Sequence, residues 1–332
     1  MKHFRHLSLI LLLFITACRR PAEQKFDGYA LGTTYHIVIQ GQGQNITRHQ
    51  IEDLIRRLNA SLSTYQSHSL ISRINRGEKI KADSDFVFVY RKAKEIFLET
   101  GGRYDPTIGI LVNAWGFGPG KKIPEIEQDS SVVDSLMKFV GYDKVSIDDS
   151  GYVVKKYPEI FFDFNSIAKG YVIDRIAGLI HDKGYRNYLV ELGGEVVARG
   201  MNIKENRPWT VSIDYPLPGS QREIAEVYLR DRAVATSGNY RKFKSDPHTG
   251  RKFVHTIDAL TGFPAVSNLL SASVFAPDCT TADGWATACM ASGLERSKKY
   301  ITSHPQLDAI LIYSDSTGRI KLWNSGVEIV KP

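Results

Sequence analysis

The sequence predicts an α+β fold in which mixed, mainly antiparallel sheets pack against helices. Three observations carry this expectation. Apolar residues recur at helical spacing in several segments and alternate with period two in many short runs. Most of the strand-like runs gather between residues 187 and 275, with no regular βαβα alternation. No Gly-x-Gly-x-x-Gly follows a predicted strand, so the Rossmann pattern for dinucleotide binding is missing.

With 332 residues, 42% apolar and 24% charged, the chain can bury a sizeable core; disorder, collagen and coiled coil are excluded. The net charge of +7 does not make a nucleic-acid binder. The first 17 residues hold Lys2 and Arg5 and no acid, so the rest of the chain carries +5, scattered among acidic neighbours.

The basic stretch MKHFRH is followed by an apolar run from Leu7 to Ala17. Eleven residues are too few for a helix across a hydrocarbon core, which takes about 20. Residues 1–17 therefore read as a secretory signal sequence. Residues 18–27 read as a tether, and 28–332 as one folded domain.

Tyr29 to Gln40 alternates and predicts a strand. Thr47 and Gln50 form a capping box before Ile51, Leu54, Ile55, Leu58 and Leu62, which predict a helix. Ser84 is placed to cap a second helix, stopped after Thr100 by Gly101-Gly102, and residues 131–140 suggest a third. Asp148 to Gly151 predicts a hairpin turn. Phe161 to Phe164 reads as a buried strand end feeding a helix from Ser166 to Asp182, with Gly184 beyond it. NYLVEL, EVVARG, WTVSID, AEVYL, KFVHTI and LLSASVF read as strands. A helix from Thr281 to Ser292, a shorter one to Ser303, and strands AILIYS and IKLW complete the chain. Cys279 and Cys289, ten residues apart along one predicted helix, would be ~15 Å apart. A disulfide needs Cα atoms within about 7 Å, so both are expected to be buried thiols.

Polar residues interrupt buried patterns in three places. At Asp163 to Tyr171 a helix start at Ser166 offers free N–H groups to an anion such as phosphate, with Lys169 one turn in; the plainer alternative is a cap with an exposed lysine. Asp283 and Thr287, at i and i+4, put a carboxylate and a hydroxyl on one helix face, which suits a hard cation such as Mg²⁺; the alternative is an acid that complements the helix dipole. His255 near Asp258, ahead of a Gly-Phe-Pro turn, can serve as a general base or be structural. Two small-residue turns, Thr236 to Tyr240 and Leu192-Gly193-Gly194-Glu195, let a ligand approach the backbone.

Ten short blocks in order resemble the ApbE family of FAD:protein FMN transferases across nearly the whole mature length. They are Leu31 to Tyr35, Leu62 to Tyr65, Ser72 to Asn75, Gly102 to Thr107, Trp115 to Gly118, Asp163 to Asp174, Leu192 to Gly194, Ala235 to Gly238, His255 to Pro264 and Ala282 to Thr287. Leu31 stands where the family usually has Met, and Ala259 where it usually has Pro. The resemblance implies an FAD site at Leu31, Tyr65, Arg103, Tyr104, Asp105, Asp163, Lys169 and Ile257. It implies Mg²⁺ among Ser166, Asp283, Ala286 (through its backbone) and Thr287, with His255 as acid/base. It also implies transfer of FMN from FAD to a Ser or Thr hydroxyl of a partner protein, releasing AMP. Two other readings use the same residues: an FAD pyrophosphatase giving FMN and AMP, and a non-catalytic FAD-binding lipoprotein. Ile15-Thr16-Ala17-Cys18 resembles a bacterial lipobox, which implies lipidation of Cys18 and an exported protein anchored to a membrane, on the periplasmic side.

Overall fold

In the computed structural model the described residues are 22–216, 222–238, 243–245 and 252–331. The single strand expected over Tyr29 to Gln40 is a hairpin, β1 (Glu23–Ala30) and β2 (Thr33–Gln40), closed by Leu31 and Gly32. Both turn residues have positive φ, 51° and 78°, as a two-residue hairpin turn of the right twist demands. Glu23 to Asp27, expected in the tether, therefore belong to the folded domain, because they complete the ladder to β2.

Helix α1 (Arg48–Leu62) starts at Thr47 with the expected capping box. After α2 (Leu70–Asn75) comes α3 (Ser84–Glu99), whose cap is Asp83 and not Ser84; Asp83 accepts the Phe86 N–H at 2.8 Å. Then follow α4 (Gly109–Ala114), α5 (Ser130–Met137), and a hairpin of β3 (Val145–Ile147) and β4 (Val153–Lys155), turning at Asp148 to Gly151 as expected. The 161–164 segment is not a strand: Phe161 makes one bridge, to Ile108. Helix α6 (Ala168–Asp182) starts two residues after Ser166, and Ile167 in the cap position offers no side-chain bond. Next are β5 (Asn187–Leu192), β6 (Glu195–Arg199), β7 (Met201–Asn202), β8 (Arg207–Asp214), β9 (Glu223–Leu229), β10 (Ala233–Gly238), β11 (Phe243–Ser245), β12 (Lys252–Val254) and β13 (Leu269–Ala276). The chain continues with α7 (Cys279–Ser292), α8 (Leu294–Ser303), β14 (Asp308–Ser314), β15 (Ile320–Asn324) and β16 (Ile329–Lys331). Thr236 to Gly238, expected in a turn, lie inside β10; Asn239 and Tyr240 fall outside the described residues.

The main sheet runs β1-β2-β5-β6-β10-β13-β14-β15, antiparallel throughout. A second sheet, β16-β9-β8-β7, covers one face. Strand alternation sorts the core into two layers. Ile37, Val190, Val197, Ala235 and Val274 meet the helices through Ile51, Phe86, Ile176 and Trp285. Val196, Ala198, Val234 and Phe275 meet Trp209, Val227 and Leu229 of the second sheet. A smaller cluster of Leu111, Trp115, Ile126, Val133 and Ile257 ties α4 and α5 to the turn after β12. Cys279 and Cys289 are buried free thiols, as expected.

Helices α6 and α7 meet at Gly170. A Cβ there would lie 2.2 Å from the Cys279 carbonyl oxygen and 2.8 Å from the Asp283 Cβ. Backbone cannot step aside as a flexible side chain can, so Gly170→Ala is expected to destabilise by about 1–3 kcal/mol. Denaturant unfolding measures this, and an unchanged midpoint would show that the helices part freely.

Candidate active site

Strands β6 and β10 from the middle of the main sheet, the α6 start and α7 converge on one buried polar cluster. Its centre is Asp283, 4% exposed on α7, whose Oδ2 accepts the Gly170 N–H at 2.9 Å. Period two puts Glu195 on the same face of β6 as Val197, toward α6, where the Lys169 ammonium lies 2.5 Å from its Oε2. Lys169 is thus neither exposed nor free, as the sequence alone would allow. Burial pulls its pKa down, but Glu195 and Asp283 outweigh this and hold it above the usual lysine value. Burial raises the pKa of both Asp283 and Glu195, against the pull of Lys169.

Ser166 lies beside this cluster, although it does not cap α6. Its hydroxyl donates to Tyr104 Oη at 3.0 Å, and its carbonyl accepts from Thr287 Oγ1 at 3.5 Å. Ser237 Oγ, on the helix-facing side of β10, is 3.3 Å from Thr287 Oγ1. The i,i+4 expectation holds in that Asp283 and Thr287 both reach the start of α6. Ala286 is fully buried on α7.

These donors fit a hard divalent cation: a carboxylate, hydroxyls and a backbone carbonyl, all oxygen. Among the described residues Asp283 receives one hydrogen bond, so Oδ1 is left to bind a ligand. A cation there would reverse the burial penalty on its charge. Among the described residues no group of three or more His, Cys, Asp and Glu could hold a metal, so such an ion would complete its shell with neutral oxygens, water or phosphate.

Of the remaining candidates, Tyr104 touches the cluster through Ser166. Asp163 shares its surroundings with Tyr65, 62% exposed, whose pKa is raised by partial burial and by the Asp163 charge. Asn75 fixes that segment, donating to the Phe162 carbonyl at 2.9 Å and accepting the Phe162 N–H at 2.8 Å. Leu31 sits 36% exposed at the hairpin tip. Arg103 pairs with Asp258 at 3.1 Å, and Ile257 is buried against Trp115 and Leu111. His255 is half-buried at the exit of β12. Ala259 does not leave the following turn open, because the Asp258 carbonyl accepts N–H bonds from Thr261 and Gly262 at 3.2 and 2.8 Å.

Asp105 turns inward: Oδ1 accepts the N–H and hydroxyl of Thr107 at 2.8 and 2.7 Å, while burial pushes its pKa up to about 6. A carboxyl raised from 3.8 to about 6 favours folding when protonated. Its contribution is full below pH 4 and is lost as pH rises through 6, worth up to about 3 kcal/mol. Asp105→Asn is therefore expected to gain stability relative to the parent between pH 4 and 7. Thermal unfolding across that range checks this, and a difference independent of pH would contradict it.

Three residues of the cluster were not singled out as site residues from sequence: Glu195, Ser237 and Asp174. Asp174 accepts the Cys279 and Thr280 N–H groups at 2.8 and 2.7 Å, fixing the start of α7 against α6. A charge at the head of the apolar run Glu195 to Ala198 is the signal that would have found Glu195.

Comparison with known proteins identifies the family. The profile of the ApbE family matches residues 31–311. An FAD:protein FMN transferase of Haemophilus influenzae is 32% identical over 93% of this chain and 92% of its own length. One from Vibrio cholerae is 33% identical over 94% of each. The solved flavin transferase ApbE from Vibrio cholerae superposes with a TM-score of 0.81 at 30% identity, covering 92% of this chain and 98% of that one. The α+β architecture is that of these structures, and the chain belongs to the ApbE family.

Proposed function

We propose that this protein transfers FMN from FAD to a Ser or Thr hydroxyl of an acceptor protein and releases AMP. The observation that carries this reading is the buried Asp283 beside the α6 start, with Lys169, Ser166 and Thr287 within the same cluster. The names of relatives about one-third identical over nearly the whole chain support the same activity. In the proposed step the acceptor oxygen bonds to the FMN-side phosphorus, the pyrophosphate P–O bond breaks, and AMP departs. His255 takes the hydroxyl proton. Asp283, Thr287 and the backbone oxygens of Ser166 and Ala286 would hold Mg²⁺, which when bound offsets the pyrophosphate charge. Lys169 adds a cation held in place by Glu195. Leu31, Tyr65, Arg103, Tyr104, Asp105, Asp163 and Ile257 would bind and orient FAD around this centre.

Incubation with FAD, Mg²⁺ and a Thr-containing peptide tests the proposal by mass spectrometry. Flavinylated peptide with equimolar AMP is expected. Free FMN with AMP and no adduct would make the protein a pyrophosphatase, and intact FAD would make it a binding protein.

Residues 1–21 lie outside the described residues, and no described helix is long and apolar enough to cross a membrane. From the sequence of the first 18 residues we propose export and lipid anchoring through Cys18. Cys18→Ser is expected to abolish incorporation of a fatty-acyl label. Retained label would disprove the assignment.

A further inference from the structure

Very little chain separates Cys18 from the first strand. Four residues, 19–22, lie between it and Glu23, where β1 starts. A fully extended chain gains at most about 3.6 Å per residue, so the five steps from Cys18 to Glu23 span no more than about 18 Å. That bound holds whatever path the segment takes. A lipid on Cys18 would therefore keep this end of the fold close to the bilayer.

Glu23 pairs with Gln40, the last residue of β2, and Gln40 pairs with Asn187, the first of β5. The turn from β7 to β8 is pinned to the same end. Gln40 Nε2 donates to Glu23 and to Asn202 at 3.0 and 3.1 Å, and its Oε1 accepts the Ile203 N–H at 2.7 Å. Met201 and Ile203 on this turn expose their side chains, at 40% and 37%. One exposed apolar residue is ordinary, but here two stand on a turn tied to the first residue of β1. Lys204 and Lys25 lie 2.7 and 3.5 Å from Glu23, so two ammoniums share one carboxylate, while Glu205 is matched by Arg207. With Arg19 and Arg20 in the connecting segment, this end suits an anionic headgroup layer. The candidate site is higher up the sheet. Through cross-strand pairs Glu195 is level with Leu192, Tyr35 and Gly28. Gly28 is roughly 17 Å along β1 from Glu23 at the usual strand rise, and the Leu31 tip is roughly 27 Å away.

We infer that this end of the main sheet rests on the surface of a lipid bilayer, with Met201 and Ile203 entering the headgroup layer and the Lys169–Asp283 cluster held away from the lipid. The inference rests on the proposed anchoring through Cys18 and adds which face of the protein meets the membrane. Apolar contact and charge together supply a second attachment beside the lipid, and that contact fixes an orientation the short connecting segment alone would leave free.

Fluorescence quenching in the lipidated full chain tests it. A bimane label is placed at Ile203→Cys, at Met201→Cys or, as the distant control, at Tyr29→Cys, which is 73% exposed beside the hairpin tip. Cys279 and Cys289 are buried, so the new thiol takes the label. The Gln40 contact to position 203 uses the backbone N–H, so Ile203→Cys can keep it. Each protein is bound to vesicles of phosphatidylethanolamine and phosphatidylglycerol that carry a doxyl-labelled lipid. Labels at 203 and 201 are expected to lose most of their emission, and the label at 29 to keep it. Protein that sediments with the vesicles yet shows no quenching at 201 and 203 would overturn the contact surface. Equal quenching at all three positions would overturn the orientation. Protein that carries no fatty-acyl label and stays in the supernatant would instead overturn anchoring through Cys18, and this inference with it.

Discussion

Asp283→Ala is expected to lower FMN transfer by about 10³-fold or more. A metal offsetting phosphoryl charge contributes several kcal/mol to the transition state, and each 1.4 kcal/mol is about tenfold in rate. Asp283 accepts the Gly170 N–H at the α6 start, and without its carboxylate the oxygens of Thr287 and Ser166 would leave a cation with neutral donors. The same change removes the acceptor of the Gly170 N–H, at a cost of about 1.5–3 kcal/mol for a bond to a charged group. Asp283→Asn separates the two effects, because its amide oxygen can still accept from Gly170 while the charge is gone. Both variants should lose transfer, and Asn should unfold closer to the parent. Mg²⁺ should raise the melting temperature of the parent and of neither variant. An Asp283→Asn protein with full activity, or one equally stabilised by Mg²⁺, would place the metal elsewhere.

His255→Ala is the second large effect, expected to slow the chemical step about 10²–10⁴-fold, the usual worth of general-base assistance. FAD affinity should be largely kept, because all the residues proposed to hold the nucleotide except Ile257 lie on other segments, among them Asp163 and Lys169 near α6, Tyr65 after α1 and Arg103 after α3. Single-turnover mixing of preloaded enzyme with acceptor measures the step directly. A variant that loses FAD binding in proportion to rate would show that His255 shapes the pocket instead of moving a proton.

How much of this was legible beforehand depends on the range of the interaction involved. Helices α1, α6 and α7 and the strands β5, β6, β8 and β9 follow from local periodicity, and the capping box at Thr47 follows from two side chains three residues apart. Element ends were less legible. Asp83 displaced Ser84 as a cap, and α6 starts after Ser166, because a cap depends on which side chain actually turns back to the free N–H groups. The hairpin at Leu31-Gly32 was missed because Leu rarely adopts positive φ, and nothing local announces that pairing with β2 holds it there.

The site shows the same division. Asp283 and Thr287 were legible as one helix face because their spacing matches the helical repeat. Ser166 and Lys169 were legible as a polar helix start open to an anion, and the resemblance of ten ordered blocks implies the same two residues. That Glu195 would hold Lys169, that Asp174 would cap α7, and that Gly170 would bring Asp283 within reach of α6 were decided only by tertiary structure. These contacts join residues 26 to more than 100 positions apart, where side-chain period and propensity carry no information. Burial then fixes their chemistry, since a carboxylate withdrawn from water must find a cation or an N–H donor, and only the packed helices and sheet determine which one it meets.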